Sequence, residues 1–281
     1  MDSGHSAAHH STVIVPAKGL QFPSIKELWA YRDLVYFLVR RDVSVRYKQS
    51  AVGVLWAVLQ PLLLAIIFSV FLGRYAKIPS GGGVPYPIFA LSGMVMWLFF
   101  ANAMSLASSS TITSAELISK VFFPRIIIPL AAVLQPVVDF LLALVVVFIA
   151  MAIYGVEISP KILLLPLLIP LALAVTLGLG LWLSALHVKY RDVQIAVPFL
   201  VQVGLFVTPI IYPFSLVPEA AKPFYALNPM VGILELYRWM LFASADWPGP
   251  VVLVPIVAGI LALIGGALYF QRAERGFADV I

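Results

Sequence analysis

The chain has 281 residues, of which 62% are hydrophobic and 11% are charged, and its formal net charge is +5. Soluble domains carry about 25% charged and about 45–50% apolar residues, so this composition excludes a water-soluble enzyme, a disordered chain and a free nucleic-acid-binding protein. The chain has no cysteine, which excludes a disulfide framework and thiol catalysis. The sequence therefore predicts an integral membrane protein.

Six apolar stretches are long enough to cross a bilayer. A spanning helix needs about 20 predominantly apolar residues, and continuous apolar runs lack the alternation of barrel strands. The sequence thus predicts an all-α bundle of six transmembrane helices. The predicted spans are residues 52–73, 86–108, 126–154, 162–188, 193–213 and 251–270.

The basic residues are divided unequally between the two sides of this predicted bundle. Thirteen of the eighteen Lys and Arg residues lie on the side that holds both termini, and five lie on the other. Because cytoplasmic loops carry an excess of Lys and Arg, we expect a multi-pass protein with both termini in the cytoplasm. An even number of spans agrees with this orientation.

The chain is predicted to have three parts. Residues 1–25 are polar and form a flexible cytoplasmic tail, residues 26–50 form an amphipathic helix in the membrane interface, and residues 51–281 form the six-span domain. The interfacial helix has two interpretations. It is an anchor with no further role, or its basic residues contact a phosphorylated lipid or a partner protein. Those basic residues are Arg41, Arg46 and Lys48.

The segment before the last predicted span is apolar but too short to cross. Residues 226–242 are punctuated by Asn228 and Pro229, so we expect short re-entrant helices that protein covers at the outer leaflet. Glu235 and Arg238 are three residues apart and should meet on one helical face as a local ion pair.

Charged residues inside the predicted spans are few, and two glycine pairs stand out among the small ones. Asp139 is the one acid well inside a span. Since an intramembrane carboxylate is costly, we interpret it as a hydrogen-bonded structural acid rather than a proton carrier. The glycine pairs Gly178 and Gly180, and Gly265 and Gly266, predict close helix packing.

No catalytic device is evident in the sequence. No serine and base occur together at membrane depth, and neither a metalloprotease HExxH motif nor a GxxxxGK[ST] phosphate-binding loop is present. The sequence therefore predicts no catalytic residue, no metal site and no bound nucleotide. Any active work would draw its energy from another polypeptide.

Short motifs along the chain resemble those of ABC-2 type permeases that export polysaccharides, in the expected order from about Leu28 onward. The motifs are Arg41-Asp42, Arg46-Tyr47-Lys48-Gln49-Ser50, Gly53, Leu55-Trp56, Gln60-Pro61, Lys120, Phe123-Pro124-Arg125, Pro129, Tyr190-Arg191-Asp192, Asn228-Pro229 and Phe277-Ala278-Asp279.

The resemblance implies a permease subunit of an ATP-binding cassette exporter in the inner membrane. Its substrate would be a lipid-linked polysaccharide, such as O-antigen, capsule or teichoic acid, moved from the cytoplasm to the outer side. The resemblance further implies a homodimer with two copies of a separate ATPase. ATP and Mg²⁺ would bind that ATPase, so this chain would need no cofactor and no nucleic acid.

Residues 109–120 would be the coupling helix that contacts the ATPase. Thr113 and Glu116 have the spacing of a capping box, and Lys120 lies in the last turn, which is compatible with a short helix. The predicted coupling residues are Thr113, Ser114, Ala115, Glu116, Leu117 and Lys120.

Aromatic side chains are candidates for lining a glycan channel, because sugar rings present apolar faces that stack on aromatic rings. Aromatic residues that face lipid are the alternative interpretation. The candidates are Trp56, Trp97, Phe99, Phe100, Phe206 and Tyr212.

Three other functions remain open at this point. A drug or other lipid exporter permease of the same superfamily would share the helices and the coupling loop. A gradient-driven secondary transporter would need inverted repeats and ion ligands near the midplane. A membrane scaffold without transport activity is the third.

Overall fold

The computed structural model describes residues 25–48, 52–274 and 276–277, and within these residues the chain is helical and contains no β-strand. The predicted all-α class is confirmed. Residues 1–24 of the predicted tail lie outside the described residues, as do residues 49–51 at the end of the predicted interfacial helix.

The described part of the chain contains eleven α-helices. They are α1 Ile25–Ala30, α2 Arg32–Lys48, α3 Leu55–Phe68, α4 Tyr86–Thr113, α5 Ala115–Lys120, α6 Ile127–Tyr154, α7 Leu165–Lys189, α8 Val193–Val207, α9 Lys222–Ala226, α10 Pro229–Leu241 and α11 Leu253–Glu274. A π-helical stretch, Ser69–Tyr75, continues α3, and the 3₁₀ turns Pro160–Leu164 and Gly249–Val252 precede α7 and α11.

Helices α1 and α2 form the predicted interfacial segment, with a turn at Tyr31 between them. Leu38 is buried where α2 packs against α6. On α2, Tyr36 and Phe37 remain more than half exposed. An apolar exposed face beside basic residues is typical of a helix that lies in a membrane interface.

Five helices are long and apolar enough to cross a membrane within the described residues. With their π-helical and 3₁₀ extensions they have 21 to 30 residues, and they coincide with five of the six predicted spans. The predicted fifth span, 193–213, is different. Its helix, α8, has 15 residues and is about 22 Å long, shorter than the hydrocarbon core of about 30 Å.

Helix α8 ends early because of the sequence that follows it. Thr208 has the extended conformation, with φ −91° and ψ 138°. A residue that precedes proline is disfavoured in the α region, and Pro209 comes next. The proline stops the helix, and the chain continues to α9 without further regular turns of α-helix.

Helix α4 is the centre of the bundle and packs against α3, α6, α7 and α8. Helices α7 and α11 approach each other closely, because a Cβ atom at Gly178 or at Gly266 would overlap the backbone of the opposite helix. Glycine at these two positions lets the backbones touch. The predicted close packing is confirmed.

Two short helices, α9 and α10, precede α11, and α10 lies within the segment for which we expect re-entrant helices. The side-chain oxygen of Asn228 accepts a hydrogen bond from the Met230 amide at 3.0 Å, with Pro229 in the first turn, so α10 begins with a side-chain cap. Ten of its thirteen residues are buried. Protein therefore covers α10 on most of its surface.

Candidate functional site

A cavity of about 350 Å³ opens between α2, α3, α4 and α6, and we call it the inner cavity. Its wall combines a carboxylate, a guanidinium group and amides with aromatic rings. Two predicted channel residues meet here, Trp56 from α3 and Phe99 from α4. Both line the cavity, where Trp56 is 52% exposed and Phe99 is 4% exposed.

Asp139 forms the polar end of the inner cavity. Arg46 Nη1 lies 2.5 Å from Asp139 Oδ2, and the Tyr47 hydroxyl donates a hydrogen bond to Asp139 Oδ1. Burial and this hydrogen bond raise the pKa of the Tyr47 phenol, so Tyr47 remains a donor. The interpretation of Asp139 as a hydrogen-bonded acid is confirmed, and its partners come from the interfacial helix.

The three predicted basic contacts on α2 are in different environments. Arg46 pairs with Asp139, whereas Arg41 Nε lies 2.7 Å from Asp42 Oδ1. Lys48 is exposed. The structure therefore brings one of the three to α6 and leaves the other two at the surface of α2.

A second cleft, of about 230 Å³, lies between α2, α4 and α6. Arg41 and Asp42 line one side, and Thr113 and Ser114 line the other. The structure thus brings the interfacial helix beside the start of the predicted coupling segment.

The predicted coupling helix, 109–120, is divided in two. Helix α4 continues to Thr113, and α5 begins after a break at Ser114. The Thr113 hydroxyl donates to the Ser109 carbonyl oxygen at 3.0 Å, and α5 has no side-chain cap. The predicted capping box is therefore wrong, because Thr113 belongs to the preceding helix. Glu116 instead pairs with Lys120 at 2.5 Å.

The loop after α5 is joined to the end of the last span. Arg125 Nη1 donates to the Glu274 carbonyl oxygen at 2.9 Å, and Arg125 Nε lies 3.6 Å from Glu274 Oε1. Nearby on α7, His187 Nδ1 is 3.0 Å from the Ser108 carbonyl oxygen of α4. Sequence analysis missed these contacts, since they join residues that are 79 and 149 positions apart.

A third cavity, of about 310 Å³, lies between α4, α7 and α8, and we call it the lateral cavity. Its lining is mostly apolar and includes the predicted channel residues Trp97 and Phe100. Their rings are 5.4 Å apart, and Trp97 lies directly against Gly204 of α8. Trp97 and Phe100 are three residues apart and share one face of α4, whereas Phe99 lies on another face. Helical spacing therefore places these aromatic residues in two different cavities.

The remaining two aromatic candidates lie near the end of α8. The Tyr212 hydroxyl donates to the Phe206 carbonyl oxygen at 2.9 Å and lies 3.3 Å from the Tyr225 hydroxyl. Phe206 is 57% exposed. The six candidates therefore occupy three places: the inner cavity, the lateral cavity and the end of α8.

Arg238 of α10 is a buried charge whose role the sequence showed only in part. Its predicted pairing with Glu235 is confirmed at 3.5 Å. Its guanidinium group also donates to the carbonyl oxygens of Pro209 and Ile210, at 2.8 and 2.6 Å, and stacks over Phe89 at 3.7 Å. Burial lowers the pKa of Arg238 to about 10, although Glu235 partly opposes the shift. The residue remains a cation and holds the segment after α8.

Other polar side chains within the bundle are bonded locally. The Thr111 and Ser184 hydroxyls are 2.5 Å apart, and the Thr176 hydroxyl donates to the Ala172 carbonyl oxygen. In the described part of the chain, no three His, Asp or Glu side chains come together as metal ligands would. The polar side chains described above thus line cavities or form ion pairs and hydrogen bonds within the bundle.

Comparison with known proteins identifies a family whose model matches most of the described helices. A family model described as ABC-2 type transporter matches residues 33–242, from the start of α2 to the end of α10. This match covers well over half of the chain.

Three relatives illustrate the similarity. The chain is 29% identical over 265 residues to the O-antigen export system permease protein RfbA of Myxococcus xanthus, with 92% of this chain and 98% of the relative covered. It is 28% identical to RfbA of Klebsiella pneumoniae (89% and 95% covered), and 24% identical to the polysialic acid transport protein KpsM of Escherichia coli (84% and 92% covered). The chain belongs to the ABC-2 type transporter family.

Proposed function

We propose that the chain is the permease subunit of an ATP-binding cassette exporter that moves a lipid-linked polysaccharide across the inner membrane, from the cytoplasm to the outer side. The observation that carries the proposal is the similarity to an O-antigen export permease over 92% of this chain and 98% of the relative. The family match over residues 33–242 includes the first five predicted spans and the predicted coupling segment.

Two alternative functions are less well supported. A drug or other lipid exporter would share the family, but the three relatives reported above are named for polysaccharide transport. A gradient-driven transporter would need an acid that is free to exchange protons at membrane depth. Asp139 instead has an arginine and a tyrosine as partners.

The energy source in this proposal is a separate ATPase, present in two copies, which binds ATP and Mg²⁺. Helix α5 suits contact with such a partner because it joins α4 to α6 and its charged side chains are exposed. The Glu116 side chain is 82% exposed and the Lys120 side chain is 67% exposed. A movement of α5 would act directly on α4, the centre of the bundle.

The functional unit in this proposal is a homodimer with the channel between the two copies. Its support is the exposure of α3 and α8, on which Leu63, Ile66, Phe199 and Phe206 are all more than 40% exposed. Such faces are suited to lipid or to a second copy. Each copy would have six spans, with both termini cytoplasmic, α8 as the short fifth span and α10 re-entrant at the outer leaflet.

The interfacial helix would contact the phosphate end of the lipid carrier. Each cation near an anionic surface contributes about 1 kcal/mol. Lys48 is the simplest contact because its side chain is exposed. Arg41 also faces outward beside Asp42, whereas Arg46 shares its charge with Asp139. The proposal therefore assigns Arg46 chiefly to holding α2 against α6.

Deletion of the gene in the source organism tests this function. We expect loss of a surface polysaccharide and accumulation of carrier-linked polymer on the cytoplasmic side, measured by gel electrophoresis and by immunoblotting of intact and lysed cells. Complementation with the wild-type gene should restore export. A strain in which the partner ATPase is inactivated in its phosphate-binding loop should not export, even when the wild-type gene of this chain is present.

An unchanged surface polysaccharide after deletion would contradict the proposal. A change in drug resistance or in glycan-free lipid, with normal polysaccharide, would favour the alternative exporter instead. Export that continues without the ATPase but stops when the proton gradient collapses would favour the secondary transporter.

A further inference from the structure

The inner cavity has the size and the mixed lining of a binding site for a small polar molecule. Its volume of about 350 Å³ falls within the range of about 300–1,000 Å³ for ligand sites. Such sites combine apolar and aromatic walls with a few polar groups. Here Trp56 and Phe99 supply aromatic rings, and Asp139, Gln60 and Asn102 supply polar atoms.

The electrical balance of this cavity favours a neutral ligand. The Arg46 side chain is 38% exposed and that of Asp139 is 16% exposed, and they form an ion pair at 2.5 Å. A phosphate placed on Arg46 would also lie within a few ångströms of the Asp139 carboxylate, and like charges at that distance repel. A ligand with hydroxyl groups can instead donate to the carboxylate and accept from the guanidinium group.

Two amides add hydrogen-bonding capacity to the cavity. Among the described residues, neither the Gln60 nor the Asn102 side chain has a hydrogen-bond partner, although both line the cavity. Each amide offers donors and an acceptor. Hydroxyl groups, which also donate and accept, match this set better than an anion that only accepts.

The aromatic wall supplies the remaining element. Trp56 keeps about half of its surface exposed, while Phe99 is held against Phe140 with a ring separation of 5.5 Å. The indole therefore has an open surface for a flat apolar face. Pyranose rings combine such a face, formed by axial C–H groups, with hydroxyl groups around the edge.

We propose that the inner cavity binds one neutral sugar ring of the exported glycan, with the ring stacked on Trp56 and its hydroxyl groups bonded to Gln60, Asn102 and the Arg46–Asp139 pair. This inference rests on the proposed function and adds a binding site within each permease copy. Phe99 also lines the site. The site holds the polymer at the cytoplasmic half of α3 and α4 before it moves outward.

Binding is tested with the permease and its ATPase purified together and reconstituted in lipid nanodiscs. The probes are the methyl glycosides of glucose, galactose, mannose, rhamnose and N-acetylglucosamine, and inorganic pyrophosphate as the anionic control. Saturation-transfer NMR measures both affinity and the sugar hydrogens that contact the protein. We expect at least one glycoside to bind, with the strongest transfer to the hydrogens of one ring face.

The variants are Gln60→Leu, Asn102→Leu and Trp56→Leu, with Gln202→Leu as the matched control. Gln202 is an exposed glutamine on α8, outside the inner cavity. Each amide variant should weaken binding about threefold to tenfold, and Trp56→Leu should remove the one-sided transfer pattern. Gln202→Leu should bind like the wild type.

Three results would overturn the inference. The first is equal glycoside binding by the Gln60→Leu and Gln202→Leu proteins. The second is no binding of any glycoside. The third is binding of pyrophosphate that Arg46→Gln abolishes and with which glycosides do not compete. Failure of the proposed function would be seen in a different observation, an unchanged surface polysaccharide after gene deletion. The binding measurement needs no export, so the two failures are distinguishable.

Discussion

Helices α3 and α4 are neighbours in the sequence and in space, yet their surroundings are nearly opposite. In the most apolar 18-residue part of each span, 83% of α4 is buried within the chain but only 11% of α3 is. Both segments are apolar enough to cross a membrane. Apolarity therefore identifies a span but does not say what the span contacts.

The difference shows which helices are enclosed by their own chain and which leave an apolar side uncovered. Helix α4 contacts α3, α6, α7 and α8 and accounts for much of the core. Helix α3 contacts α4 and α6 along one side, and that side encloses the inner cavity. Its other side and the π-helical stretch that continues it present Ile66, Ile67 and Phe71 outward, which is the surface that the proposed second copy would cover.

Truncation of a side chain in each helix should give the largest contrast. Met94 of α4 is fully buried and Ile66 of α3 is 57% exposed. We expect Met94→Ala to lower the free energy of unfolding by about 2–5 kcal/mol, through lost contacts and a cavity. Ile66→Ala should change it by about 0.5 kcal/mol or less. Denaturant titration of the monomeric protein in detergent, followed by tryptophan fluorescence, measures both. Similar losses would show that α3 is as enclosed as α4.

The ion pair beside α3 should contribute a smaller but measurable amount. Arg46→Gln or Asp139→Asn leaves a charge without its partner, which is costly at membrane depth. Because Arg46 is partly exposed, we expect a coupling energy of about 1 kcal/mol in a double-mutant cycle, with the double variant more stable than the sum of the single losses predicts. Additive losses would mean that the two residues do not stabilise the fold together.

The exposed helix α5 should separate stability from function. Glu116→Arg places two cations four residues apart and should alter stability by no more than about 0.5 kcal/mol. We nevertheless expect the ATPase to dissociate or to lose coupling, measured by co-purification and by export. Glu219→Arg is the matched control, because Glu219 pairs with Lys222 in the same manner outside the coupling segment. Equal effects of both substitutions on ATPase association would rule out a specific role for α5.

Single cysteines should test the outward face of α3 and α8 with almost no effect on stability. The chain has no native cysteine, so any disulfide between copies reports the introduced residue. We expect cross-linked dimers in membranes from some exposed positions and none from Met94, which is buried. Monomers at every exposed position would argue against a dimer interface on these helices. The positions are Ile66, Ile67, Phe71 and Phe206.

The course of the helices was largely predictable from the sequence. Apolar runs set five of the long spans, and the glycines Gly178 and Gly266 indicated a close helix contact that the structure confirms. The sequence overestimates the length of α8 because residues 193–213 are predominantly apolar. The signal that ends it, Thr208 before Pro209, is local stereochemistry rather than hydropathy.

The site was less predictable, since its contacts join distant parts of the chain. Asp139 was identified as an acid that needs partners, but no pattern indicated that Arg46 and Tyr47 provide them. Likewise Arg238 showed its local pair with Glu235, whereas its bonds to Pro209 and Ile210 depend on how α10 packs. Periodicity assigns a residue to a helical face, and packing decides which element meets that face.

The Arg46–Asp139 pair also orders the assembly of the molecule in time. Its residues are 93 positions apart, which at about 5–20 residues per second corresponds to roughly 5–20 s of protein synthesis. Helix α2 is made before α3, α4 and α6. Arg46 therefore cannot pair with Asp139 until the third predicted span has left the ribosome. Docking of α2 is thus a late step in biogenesis, and it closes the inner cavity only after the helices that form its other walls have inserted.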